Sequence, residues 1–181
     1  MNKIKLSKIS KKCNTQKGFN NKGCFGCSCK DLCCFDANVD FDKESYELVM
    51  KYKALIEPII KKPIEACFEK GWYNESDYLG GNMKGAINNK DGYCIFQNEG
   101  GKGCILFKIV LENKLSQIII PSICRLFPLS WMDGELVVYD EDGEDIIPPE
   151  CNCMDPKNKT KKTVLDTQKK AVEDIFEINS K

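Results

Sequence analysis

The stretch 23–34, GCFGCSCKDLCC, places five cysteines in twelve positions and closes on the adjacent pair Cys33-Cys34. The chain of 181 residues carries 12 cysteines and no histidine, so its thiols have no imidazole to share the work. Adjacent cysteines bridge each other only with strain. Their side chains diverge, which favours two nearby metals or one cluster gripped at a turn. Cys24, Cys29, Cys33 and Cys34 follow a C-x4-C-x3-C-C spacing with Cys27 inserted; Cys94, Cys104, Cys124 and the late Cys151 and Cys153 come farther on. Most of them sit beside glycine, proline or a turn. Soft sulfur donors without nitrogen partners suit tetrahedral zinc or an iron–sulfur cluster. They argue against calcium, magnesium and mononuclear iron of the two-His-one-carboxylate kind.

Two cysteines read differently. Cys67 lies in the apolar run IEACF and is expected in the core, and Cys13, in the basic start of the chain, is expected to be a bystander. A cysteine nucleophile paired with histidine is excluded by composition. A dithiol redox site at Cys24 and Cys27 lacks the strand–helix–strand context such sites need. Arg125 is the one arginine among 27 basic residues and directly follows Cys124. Its planar fork of donors suits a carboxylate or backbone carbonyls beside a metal, where it would offset thiolate charge.

Acidic and basic residues balance at 27 each, so no global field draws nucleic acid or membrane. The start, MNKIKLSKISKKCNTQKGF, has no apolar run of about seven residues, and no secretory signal is expected. IIIPSIC is far short of the ~20 apolar residues of a membrane span. The expected location is a reducing, bacterial cytoplasm, where clustered cysteines serve metals rather than disulfides.

Residues 1–22 carry seven lysines and no acidic residue, and read as a basic tail or edge strand without the aromatics that nucleic-acid binding uses. Residues 23–156 read as a cysteine-cluster metal-binding domain, and 157–181 as an amphipathic helix packed on it. Within the domain Asp42 is placed to cap a helix bearing Val49, Tyr52, Ile56 and Ile59, which Pro58 kinks or ends. Pro63 opens a second helix that stops at Gly71, and 72–92 reads as an irregular loop. A helix is expected over about 104–113. QIIIPSICRLFPL is strand-like up to Pro121, and ELVVY is a strand after an Asp133-Gly134 turn. The acidic run from Asp140 to Asp145 reads as a solvated turn. The fold class expected is α+β, mainly helical, with short strands and long irregular loops organised around a cysteine-ligated metal centre.

Taken in order, the C-x4-C-x3-CC opening, DGYCIFQN, GKGCIL, CRLFPLSW and a late cysteine resemble the bacterial cysteine-cluster proteins named as zinc- or iron-chelating domains of the CxxCxxCC type. The resemblance spans about Cys24 to Cys153. It implies eight ligand-type positions: Cys24, Cys29, Cys33, Cys34, Cys94, Cys104, Cys124 and one of Cys151 or Cys153. Relatives often carry a histidine shortly after the position of Cys104, where Phe107 stands here, and Cys27 is an extra thiol. A more distant resemblance is to the front portion of the flagellin lysine methylases, through the CC pair, Asp42 and Tyr46, and the C-R-x-F-P motif from Cys124 to Pro128. Those enzymes are much longer.

The expected function is therefore a metal-binding protein that holds an iron–sulfur cluster or zinc for metal handling, electron transfer or sensing. Iron–sulfur is slightly preferred, and a protein partner is admitted. The alternatives are an iron–sulfur enzyme related to protein lysine methylases, and a structural zinc module that presents a surface to a partner.

Overall fold

The computed structural model describes residues 3–19, 31–35, 37–74, 81–99, 102–139 and 160–178. They contain five α-helices and three small sheets, a mixed α and β architecture. The chain divides into two compact units. One is the continuous stretch Cys34–Arg125, and the other combines Lys3–Cys33 with Leu126–Lys181.

In the second unit the lysine-rich start is built into sheets. β1 (Ile4–Leu6) runs parallel to β8 (Phe176–Ile178), pairing Ile4 with Phe176. β2 (Lys8–Ile9) edges the order β2-β7-β6, where β6 (Leu129–Met132) and β7 (Glu135–Val138) form a hairpin. Its two-residue turn, Asp133-Gly134, has φ of 51° and 75°. Two positive φ values are what a type I′ turn requires, and Asp-Gly supplies them at low cost. α5 (Val164–Ile175) opens with a reciprocal cap: Asp166 N donates to Thr163 Oγ1, and Thr163 N donates to Asp166 Oδ2 at 2.8 Å. Leu6, Leu129, Leu136, Val138, Val164 and Ile175 are fully buried. Gln168, on the half-buried side of α5, donates to the Leu126 and Phe127 carbonyls.

The first unit centres on α1 (Lys43–Lys51), α2 (Lys53–Ile60) and α3 (Ile105–Asn113), with an antiparallel sheet beside them in the order β3 (Asp40–Asp42), β5 (Asn82–Gly85), β4 (Tyr73–Asn74). Asp42 ends β3 (Asp40–Asp42) and caps α1, accepting from Ser45 N at 3.1 Å. The helical run breaks at Tyr52 and Pro58 lies inside α2. Phe41, Phe68 and Phe96 meet with ring centroids 5.1–5.7 Å apart. Around them Val49, Ile56, Ile64, Ile105, Leu106, Ile109, Ile119 and Ile120 close the core. Each such side chain contributes about 1.5–3 kcal/mol on burial.

Three segments differ from the sequence expectation. After Pro63 only one 3-10 turn forms (Ile64–Cys67), because Phe68 turns extended to bridge Ala86 and Glu69 N donates to the Gly85 carbonyl. Within 72–92, β4 (Tyr73–Asn74) and β5 (Asn82–Gly85) pair with one another. The IIIP stretch makes a 3-10 turn (Gln117–Ile119) and not a strand. Ser116 caps that turn, and α4 (Ser122–Leu126) follows directly after Pro121. Among the described residues no helix is long and apolar enough to cross a membrane.

Candidate functional site

Cys34, Cys94 and Cys104 sit on a run of tight turns in the first unit. Cys34 ends a 3-10 turn (Leu32–Cys34), and its carbonyl accepts from Cys94 N at 2.8 Å, so the two backbones are joined directly. Beside that bond Phe35 faces Tyr93, and their rings meet edge-to-face at 5.2 Å. The turn before Cys94 depends on Gly92, whose φ is +87° and whose added Cβ would lie 2.9 Å from Phe35 Cε2. Glycine alone meets both demands without strain.

Past Cys94 the chain folds back at once, with Gln97 N donating to the Cys94 carbonyl at 2.8 Å. A backbone hydrogen bond from Phe96 acts on the Cys94 thiol and favours its ionised form, while burial of the side chain opposes this more strongly and pushes the thiol up to about 11. A second small ladder then brings Gln97 opposite Cys104. Cys104 is the N-cap residue of α3, with extended φ and ψ of −103° and 139°. There the helix dipole favours a negatively charged sulfur.

Cys124 lies on α4, half-buried against the same apolar cluster as Cys34 and Cys104, and Cys94 belongs to that cluster. Its neighbour Arg125 is 6% exposed and donates from Nε to the Ile120 carbonyl at 3.0 Å, one of the partner types expected of it. Cys33 is half-buried. Cys67 is fully buried, donates weakly to the Pro63 carbonyl at 3.7 Å, and is pushed up to about 11 by burial. Cys13 is buried in the second unit and donates to the Leu136 carbonyl at 3.4 Å.

Cys34 and Cys94 are thus direct neighbours along the backbone pairing, and Cys104 lies on the adjoining ladder. Among the described residues, no three His, Cys, Asp or Glu side chains form a group that could hold a metal ion. Cys24, Cys27, Cys29, Cys151 and Cys153, and the acidic run 140–145, lie outside the described residues. The sulfurs that are described are soft donors of the type that thiolate ligation uses, and those of Cys34, Cys94, Cys104 and Cys124 belong to residues in or against one apolar cluster.

Sequence reasoning missed a buried polar node in this unit. Asp42 Oδ2 accepts from Ser122 N at 3.0 Å, fixing the start of α4 close to Cys124, while Asp42 Oδ1 holds Ser45. The helix-capping residue type was visible at Asp42, but nothing in the chain announces a partner eighty positions on. Comparison with protein-family models, with curated proteins and with solved structures found no match to this chain.

Proposed function

We propose that this protein binds metal through cysteine thiolates drawn from Cys24, Cys29, Cys33, Cys34, Cys94, Cys104, Cys124, Cys151 and Cys153. The preferred occupant is an iron–sulfur cluster, serving electron transfer, sensing or metal handling. Nine thiolates suffice for two four-sulfur centres. The observation that carries the reading is the junction of Cys34 and Cys94 through one backbone bond, with Cys104 and Cys124 packed against the same apolar cluster. Hydrogen bonds to sulfur and an apolar surround are the features by which proteins tune thiolate-held iron.

Each thiol must lose its proton to ligate, so loading releases protons and weakens as pH falls. The buried Cys94 thiol makes that requirement sharper. Arg125, beside Cys124, is assigned the role of offsetting thiolate charge.

Single serine substitutions at Cys34, Cys94, Cys104 and Cys124 replace a soft donor with a hard one and test the assignment. Elemental analysis of each purified variant should show most of the metal lost, whereas Cys67→Val keeps the wild-type content. Arg125→Lys should retain less metal than wild type, because lysine lacks the planar fork. Wild-type metal content in all four serine variants contradicts the proposal.

A further inference from the structure

Two small antiparallel ladders in the first unit each pair an amide-bearing residue with a candidate ligand cysteine. Asn88 faces Cys94, with flanking bonds from Asn89 N to the Tyr93 carbonyl at 2.6 Å and from Ile95 N to the Ile87 carbonyl at 3.0 Å. Gln97 faces Cys104, with flanking bonds from Asn98 N to the Gly103 carbonyl and from Ile105 N to the Phe96 carbonyl, both 2.8 Å. Bonds on the residues either side mark the close, non-hydrogen-bonded pair of an antiparallel ladder. In such a pair the Cα atoms lie about 4.5 Å apart and the facing side chains share one face. Phe35 and Tyr93 face each other in the same unit, and their rings do touch.

A second observation points the same way. Asn88 Oδ1 is buried without a hydrogen-bond partner, while its Nδ2 donates to Asn38 Oδ1 at 3.3 Å. A carboxamide turned end for end has nearly the same shape and exchanges donor for acceptor. Turned so, Asn88 places its NH2 at the buried position, and the exposed Asn38 can turn to match. A buried carbonyl oxygen has no use for a sulfur with negative charge; an amide N–H does.

We propose that Asn88 and Gln97 are positioning residues of the metal centre, donating side-chain N–H bonds to the sulfurs of Cys94 and Cys104. The proposal rests on the thiolate–metal reading above. An N–H on a metal-bound sulfur withdraws charge from it. In an iron–sulfur cluster this stabilises the reduced state, and in a zinc site it lowers the nucleophilicity of the sulfur.

The test uses the full chain purified without oxygen, as wild type, Asn88→Leu and Gln97→Leu, with Asn88→Gln and Gln97→Asn as amide-retaining counterparts. If the protein holds iron and sulfide, the leucine variants should show a lower midpoint potential than wild type. If it holds zinc, cobalt(II) exchanged into the site should give sulfur-to-metal charge-transfer bands displaced to longer wavelength. In either case the amide-retaining variants should move back toward wild type, which a purely structural role does not produce. Metal-loaded leucine variants with unshifted potentials and bands overturn this proposal alone. A wild-type protein without metal overturns it together with the function on which it rests.

Discussion

Asp42 holds two segments with one carboxylate: Ser45 N and Oγ at 3.1 and 2.8 Å, and Ser122 N at 3.0 Å. Asp42→Ala removes a helix cap and leaves the backbone N–H groups of Ser45 and Ser122 without their acceptor, while Ser45 Oγ keeps the Ile118 carbonyl at 2.7 Å. The expected loss is about 2–4 kcal/mol, read from a denaturant midpoint. A shift no larger than that of an exposed substitution contradicts this role. Cys67 makes a different prediction. Its thiol ionises at 9.0 in an open chain and at about 11 in the fold, because burial disfavours the thiolate. A raised value in the fold means the contribution is complete below pH 9.0 and is lost as pH rises toward about 11. Unfolding measured from pH 8 to 11 should therefore show wild type losing more stability than Cys67→Val, by up to about 3 kcal/mol. Parallel curves for the two proteins reject this account of Cys67.

At the scale of elements, local signals succeeded where the chain decides its structure locally. The Asp133-Gly134 turn, the cap at Asp42 and the helix over Ile105–Asn113 were legible because turn chemistry and apolar spacing act over a few residues. The apolar face of α5 was legible too, with Val164, Val172 and Ile175 buried. Its Thr163–Asp166 cap should contribute about 1 kcal/mol, so Thr163→Ala should lower the unfolding free energy by that amount; no change refutes the cap's role. The helix expected after Pro63 failed because Phe68 and Glu69 are claimed by partners at Ala86 and Gly85. Pairing across sequence overrides a weak local preference. The site divides in the same way. The turns around Cys94 and Cys104 carry glycine and asparagine signals in the sequence, whereas the Cys34–Cys94 bond joins distant segments and has no local signature.

At the scale of the whole molecule, composition and structure bear on different halves of the question. Twelve cysteines and no histidine leave sulfur as the soft donor available to the proposed metal chemistry. The structure adds where seven of the thiols stand, and sets Cys34, Cys94, Cys104 and Cys124 in or against one apolar cluster. On the proposed reading metal binds the folded state, so its removal should lower stability in proportion to affinity and occupancy. A chelator titration followed by thermal unfolding should show the loaded protein melting at the higher temperature, and identical melting of the two forms argues against any coupling.

The most direct measurement is elemental analysis and visible absorption of the full chain purified without oxygen. The account predicts stoichiometric iron with acid-labile sulfide and a broad visible absorption that gives a brown protein. Stoichiometric zinc in a colourless protein would keep the thiolate assignment and replace the cluster. A folded protein containing neither iron nor zinc contradicts the central claim.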